Sequence, residues 1–464
     1  MLEFGNAGQL FPVLIPMQAV AWRPMEVLTV QDSAPAVAAG ARWPLPIRVG
    51  FRFCVVYFGL YCLLTQVITS VIAIPLLDLP DPGSLTPFRQ IIFWVASHVF
   101  SLKTPLVYSG SGSGDKQFDW VELFCLFTFS LAATATWSVL DRRRQSYPSL
   151  QKWFWLFLRF CLAGQMFVYG LVKAFPLQMS YPPLTWLMQR FGDFSPAGVL
   201  WASIGASPAY ETFCGCAELT GGLLLIFRRT RTLGALICMT DMTMVFALNM
   251  TYDVPVKLLS FHLILMAALL LAPEAKRLAN FFVLNRTAEP AEEAPLFQGR
   301  RGRLIAGSLI AFLWVWILAN DGWMIWRDWH AYGPGAPKSP LYGIWNIESL
   351  TLNGHPQSLT VTEREAWHRI IFDRPESAVV ECMDDSHRYG ATVDQKAGSI
   401  LLTDAQNKKW QTRFNFGRPA FDQLKLDGTL DGLTASLTLK RLDEKKLLLA
   451  SRGFHWVQDY PFIK

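Results

Sequence analysis

The apolar runs of this chain constrain it more than any other feature. Stretches at about 50–76, 120–140, 153–175, 212–227, 232–250, 256–273 and 303–320 are each near the roughly 20 residues that cross a bilayer as a helix. Backbone N–H and C=O groups find no water in lipid, so such stretches must satisfy them internally, as helices do. The segment FRQIIFWVASHVFSL at 88–102 is shorter and carries Arg89 and His98, which reads as an interfacial helix rather than a crossing. Composition agrees, since 17% of the 464 residues are charged against about a quarter in soluble proteins. The expected class is an α-helical membrane protein of about seven spans, with the lipid bilayer as its surroundings.

Charge orients the spans. Arg42, Arg48, Arg52, Arg142, Arg143, Arg144, Lys152, Arg228, Arg229, Arg231, Lys276, Arg277, Arg286, Arg300, Arg301 and Arg303 all fall on one set of loops. The opposite loops hold only scattered cations such as Lys103, Lys116, Arg190 and Lys257. By the positive-inside rule the first set is cytoplasmic. The net charge of +6 is then a topology signal, and no nucleic-acid partner is expected. For a bacterial chain this means the inner membrane, a cytoplasmic N-terminus, and a periplasmic or extracellular segment after about 321. The first 45 residues show no basic stretch followed by a compact apolar core, so no cleavable signal peptide is expected. Residues 1–45 read as a disordered arm, Pro, Ala and Gly dominating 33–46.

After about 321 the texture changes. Short alternating stretches such as SILLTD, QLKLDGTL and TASLTLKRL, up to KLLLASRG, are punctuated by Asn353-Gly354, Asp427-Gly428 and Asp431-Gly432. Period-2 strands at that spacing predict an all-β antiparallel barrel or sandwich over 338–464. The domains expected between are 46–150 (two leading spans with the interfacial helix), 151–285 (a four-helix core) and 286–337 (linker and seventh span). The barrel's first strand has Gly343 and Trp345 in a Gly-x-Trp arrangement, and Arg452 follows its last stretch. This resembles the lipocalin-like pattern, which implies a barrel floor closed by Trp345 with Arg452 lying across it in a cation–π contact. An eight-stranded barrel can hold one small ligand or be filled by its own side chains.

Polar side chains interrupt the middle spans. Gln165, Tyr169 and Lys173 recur at i, i+4 and i+8 on one face of the third span. Glu211, Cys214 and Glu218 share a face of the fourth, where Gly215, Gly221 and Gly222 permit close helix approach. Glu218 lies about two turns in, and a carboxylate there needs a partner or becomes neutral; Lys173 is the natural partner. Asp241 sits mid-span in the fifth helix, with Arg159 a possible partner, and Asn249 lies nearer its outer end. Asp253, just before Pro255, is placed to cap the sixth helix and to pair with Lys257 at i+4. His262 faces elsewhere. Lys173, Glu218, Asn249, Asp253 and Lys257 all map to outer halves of spans, which favours a polar pocket open to the periplasm. Eight cysteines form neither a disulfide framework nor a CxxC pair, and no metal or haem site is evident.

Tyr169-Gly170 followed by Lys173, and AELTGGLLLIFRRTRTLGA at 217–235, resemble the DoxX-like family of four-helix membrane proteins over about 152–275. The matching positions are Gly170, Lys173, Glu218, Gly221 and Gly222. The resemblance implies membrane redox chemistry, as in the small subunit of thiosulfate:quinone oxidoreductase or in thiol-stress complexes. The lysine after Tyr-Gly is also similar to the membrane part of vitamin K carboxylase-like proteins, which again implies quinones.

Two functions follow as expectations. In the first the protein is a quinone-linked redox protein or subunit working with a redox partner: a quinone head sits near Tyr169, Lys173 and Glu218, Lys173 stabilises a reduced oxygen, and Glu218 exchanges a proton. In the second it is a non-enzymatic binding or assembly protein that presents the barrel. Whether it is an enzyme stays open, as does transport, for which no inverted repeat is evident.

Overall fold

The computed structural model describes residues 42–463 except 73, 75–76, 78, 110–113, 289–296, 298, 358–366, 383–384 and 408. The arm expected over 1–45 lies, up to residue 41, outside them. Among the described residues six helices are long and apolar enough to cross a membrane: α1 (Leu45–Leu64), α4 (Gln117–Leu140), α5 (Pro148–Ala174), α9 (Arg231–Thr251), α10 (Lys257–Leu271) with its continuation, and α12 (Arg300–Ala331). Between them lie α2 (Gln66–Thr69), α3 (Phe88–His98), α6 (Leu184–Met188), α7 (Pro196–Gly205), α8 (Pro208–Ile226) and α11 (Ala275–Phe282). The fourth expected span is α8, a 19-residue helix that carries Glu211 and Glu218 and falls outside the six.

Local chemistry sets several boundaries. Pro148 and Pro208 open α5 and α8 at first-turn positions, where the missing N–H is no loss. The first span ends earlier than its apolar run. Thr65 gives both its N–H and its hydroxyl to the Tyr61 carbonyl and turns extended, which stops α1 at Leu64. The last span runs longer, because α12 continues through Asn320 and Asp321 to Ala331. Arg52, read as a loop cation, is buried inside α1, where it donates to the Tyr147 hydroxyl and the Asp141 carbonyl.

The helices share one apolar core. Its centre is α5, with Phe160 to Phe167 buried without a break and Phe160 stacked on Trp314 of α12. Such a helix, apolar on most sides, has neighbours on most sides. A smaller cluster joins α3 to α4 through Ile92, Ala96, Phe118 and Val121.

The C-terminal part is a closed, eight-stranded antiparallel barrel. Its strands are β1 (Gly343–Leu352), β3 (Arg369–Phe372), β4 (Ser377–Glu381), β5 (Ser386–Asp394), β6 (Ser399–Asp404), β7 (Gln411–Gly417), β8 (Gln423–Leu430) and β9 (Leu433–Arg441). They pair in chain order, and β9 closes on β1; the two-residue β2 (His355–Pro356) hangs on the end of β1. Alternation does the sorting: Leu424 and Leu426 point in while Gln423, Lys425 and Asp427 point out. Asn353-Gly354 and Asp431-Gly432 form hairpin turns with positive φ at both residues. Asp427-Gly428 is not a turn. It lies within β8, where a Cβ on Gly428 would fall 2.1 Å from the Arg413 carbonyl oxygen.

The barrel floor differs from expectation in one residue. Trp345 is buried, its indole donating to the Leu341 carbonyl at 2.9 Å. Arg452 is not across it. KLLLASRG, rich in helix formers, folds as a 3-10 turn at Glu444–Lys446 and α13 (Leu448–Ser451), so β9 ends at Arg441. Arg452 lies over the Phe462 ring at 3.9 Å instead. Arg441 pairs with Trp345 in register and fills the space beside Gly343, and the Arg418 guanidinium is 5.9 Å from the Trp345 ring. The interior is occupied by Trp345, Phe372, Phe414 and their aliphatic neighbours. On its outer face Ile344, Ile371 and Val379 pack with Leu184 of α6, which seats the barrel on the helical part.

Candidate functional site

The crossing of α5 and α8 is built on two glycines. A Cβ on Gly215 would lie 2.2 Å from the Ala174 backbone nitrogen, and one on Gly170 would lie 3.1 Å from the Gly215 carbonyl oxygen. With neither present, the backbones touch, and the side chains one turn further on face each other. These are Lys173 and Glu218, both buried; the ammonium donates to Glu218 Oε1. Lys173 therefore does not snorkel. Glu218 Oε2 is buried without a partner, and the Lys173 ammonium stands 5.8 Å from the centre of the Tyr169 ring. Gly221 and Gly222 extend the close packing, towards Cys238 and Ile237 on one side and Phe167 and Met166 on the other.

Next to Tyr169 is a cavity of about 250 Å³ between α2, α5 and α12. Gln165 and Tyr169 line it, as the stripe on α5 predicts, together with Gln66, Thr69, Ser70, Asn320, Asp321 and Arg327. Gln165 is fixed by donating from Nε2 to the Gln66 carbonyl at 3.3 Å. Asp321 is 1% exposed, and neither of its carboxylate oxygens has a hydrogen-bond partner. Asp321 falls just past the seventh span as read from the sequence, 303–320, and Asn320 is its last residue. The available signal was the apolar texture resuming in GWMIW after the polar pair.

The other predicted pocket residues do not line this cavity. Asn249 is buried and donates to Ser260 Oγ at 3.0 Å and the Val256 carbonyl at 3.2 Å, which secures the turn from α9 to α10. Asp253 pairs with Lys257 at 3.0 Å as expected, but its side chain is 85% exposed and its φ is +54°. It does not cap α10. That role belongs to Asp115, whose carboxylate accepts from the backbone N–H groups of Lys257 and Leu258 at 2.8 and 2.9 Å. A residue 142 positions upstream carries no sequence-local sign of this. Cys214 is half-buried and Cys216 exposed, both free thiols. Glu211 is fully buried and accepts from the Met179 N–H at 2.8 Å, so it fastens the segment after α5. Arg159 does not meet Asp241; its guanidinium reaches the Ile226 carbonyl at 3.4 Å.

A second, smaller cavity of about 60 Å³ was not foreseen. Its lining includes Tyr61, Gln66, Asp81, Lys116, Asp119 and Glu122, so Gln66 borders both cavities. Glu122 Oε1 is buried without a partner, pressed into the space a Cβ on Gly83 would occupy. Burial pushes the Asp81 carboxyl above the usual carboxylate range, with Lys116 opposing. Behind Tyr61, His262 stacks on its ring at 3.9 Å and hydrogen-bonds the Tyr57 hydroxyl at 2.8 Å. His262 is thus turned away from Asp253 and Lys257, as its position in the sequence predicts.

Among the described residues no group of three or more His, Cys, Asp or Glu side chains is placed to hold a metal ion. No family model matches the chain, and no solved structure matches it. YwoB, an uncharacterized protein of Bacillus subtilis (strain 168), is 31% identical over 133 residues, which make up 27% of this chain and 79% of YwoB.

Proposed function

The chain belongs to one family with YwoB, whose description carries no activity, and from the chain's own residues we propose a quinone-binding membrane protein, a redox protein or subunit of the DoxX-like kind. The observation that carries this is the cavity walled by Tyr169 and Gln165, with the ammonium of the buried Lys173–Glu218 pair 5.8 Å from the centre of the Tyr169 ring. At about 250 Å³ it is below the roughly 300–1,000 Å³ of drug-sized pockets, which suits one substituted ring rather than a larger ligand. A bound quinone would supply two-electron, two-proton chemistry. Tyr169 gives the ring an aromatic wall, and Gln165 and Asn320 offer amides at its edge. Lys173 places a positive charge behind the wall, where a low dielectric lets it act on the cavity. Glu218 holds Lys173 in that position, and its unpartnered oxygen can take a proton.

In this reading the basic ends of α1, α5, α9 and α12 face the cytoplasm, by the positive-inside rule. The barrel then lies in the periplasm, and a partner protein or soluble donor supplies the electrons. A second reading, a binding or assembly protein, draws on the barrel itself, whose interior carries Trp345, Phe372 and Phe414.

The test is binding of a short-chain quinone to the purified protein in nanodiscs. Tyr169→Leu and Gln165→Leu are each expected to weaken it tenfold or more, while removal of residues 338–464 leaves it unchanged. Affinity untouched by both substitutions overturns the site. No quinone binding at all, with a peptide or lipid held by the barrel, supports the second reading.

A further inference from the structure

The two ends of the barrel have different neighbours. Pairing of β1 with β9 puts Trp345 and Arg441 near one end and Leu352 and Ala435 near the other. The Trp345 end is turned to the helices. Ile344 and Ile371 pack there with Leu184 of α6, and Leu442 and Leu447, just past β9, join the same cluster. Glu444 is within electrostatic reach of Tyr181, which lies between the end of α5 at Ala174 and the start of α6. The chain therefore leaves β9 close to where α5, one of the helices apolar enough to cross a membrane, comes to its end.

The segment that follows is built unlike the strands before it. Along β8 apolar side chains point in and polar ones out. In GFHWVQDYPFI, residues 453–463, the apolar side chains point outward instead: Phe454, Trp456, Val457, Tyr460 and Ile463 are between 72% and 93% exposed. Phe421, in the β7–β8 loop at the same end, is exposed as well, with the Arg441 guanidinium 5.5 Å from its ring centre. So is Phe191, in the connection that carries α6. Single exposed apolar side chains need no explanation, but a run of them marks a surface that something covers. Composition favours lipid as the cover. Trp and Tyr gather where an apolar phase meets water, with the ring in one and the polar edge in the other. Lys445, Lys446 and Arg452 bring positive charge towards lipid phosphates, and Asp443, Glu444 and Asp459 offset part of it, so the rings carry most of the attraction.

We propose that residues 448–463, together with Phe421, dock on the surface of the membrane that the helices cross and tether the barrel to it. The barrel is then held at two points, by its connection from α12 and by this segment. Its far end, with the Asn353-Gly354 and Asp431-Gly432 hairpins, is the end presented to solvent. The tether holds whatever ligand the cavity beside Tyr169 takes.

Electron paramagnetic resonance of nitroxide labels on the full-length protein tests this, with one copy per nanodisc of mixed phosphatidylethanolamine and phosphatidylglycerol. Labels enter through Val457→Cys and, in the exposed β6–β7 loop at the far end, through Gln406→Cys. Both are made in a Cys216→Ser background, which removes an exposed native thiol, and the unsubstituted background is the blank. At 457 collisions with dissolved oxygen, which concentrates in lipid, are expected to exceed those with a water-soluble nickel chelate. At 406 the order is expected to reverse. Adding Phe454→Ser, Trp456→Ser and Tyr460→Ser together should give the 457 label the pattern seen at 406. A 457 label as open to nickel as the 406 label in the otherwise native segment overturns the proposal. A 457 label shielded from both reagents overturns it too, because protein rather than lipid then covers the segment.

Discussion

Replacing Lys173 with Met keeps the length of the side chain and removes its charge. Glu218 is then a carboxylate with 1% exposure and no partner on either oxygen. Breaking a buried pair from one side costs about 3–5 kcal/mol, because the remaining charge is uncompensated. Glu218→Met is milder, since the Lys173 ammonium lies in the last turn of α5 beside the Tyr169 ring and its flexible stem can carry it to water. A loss of about 1–3 kcal/mol is expected there. The double variant removes both charges from an apolar crossing and should return to within about 1 kcal/mol of the wild type, or exceed it. The coupling in the cycle is then several kcal/mol in sign opposition to the single losses. Unfolding in mixed micelles of rising SDS content, followed by helicity, measures all four proteins. Additive losses, with the double variant as unstable as the sum of the singles, refute the claim that the pair is buried and mutually dependent.

Three further outcomes follow from geometry. Gly215→Ala forces a Cβ onto the Ala174 backbone and should cost about 1–3 kcal/mol in the same assay, whereas Gly59→Ala, with open space around it, should be neutral or slightly stabilising. Asp115→Ala should cost about 1 kcal/mol through the lost cap of α10, and Asp253→Ala less than about 0.5 kcal/mol because its ion pair is exposed. The Ser436 hydroxyl at 2.6 Å, with Lys425 at 3.1 Å, holds the Asp427 carboxyl below the usual range. A lowered folded value stabilises above the unfolded pKa of about 3.9 and is lost as pH falls through the folded value. Asp427→Asn should therefore flatten the acid limb of a barrel melting curve against pH, and an unchanged limb contradicts that contact.

Much of this was legible in the chain. Hydrophobic period and length announce helices and strands because lipid and a barrel core impose them locally. The glycine and charge spacing on α5 and α8 foretells the Lys173–Glu218 pair because residues one turn apart must follow the backbone contact. What was not legible is non-local. Asp115 reaches α10 across 142 positions. Asp321 joins Gln165 and Tyr169 only once α12 packs beside α5. Arg418 and Arg441, not Arg452, stand beside Trp345, because the helical turn at Leu448–Ser451 takes residues whose apolar run reads equally well as a strand. Asn249, Asp253 and Lys257 share an outer position with Lys173 in the sequence, yet the fold gives them the α9–α10 turn to hold.

In the proposed function the cavity beside Tyr169 holds a quinone-type ring. Cross-linking with a photoreactive short-chain quinone in nanodiscs, with peptide mapping by mass spectrometry, tests it most directly. Adducts are expected on the segments bearing Gln165 to Tyr169 and Asn320 to Arg327, suppressed by excess unlabelled short-chain quinone. Adducts confined to the barrel or to exposed apolar positions of α12 such as Phe312 and Val315, or adducts that competitor leaves unchanged, would contradict it.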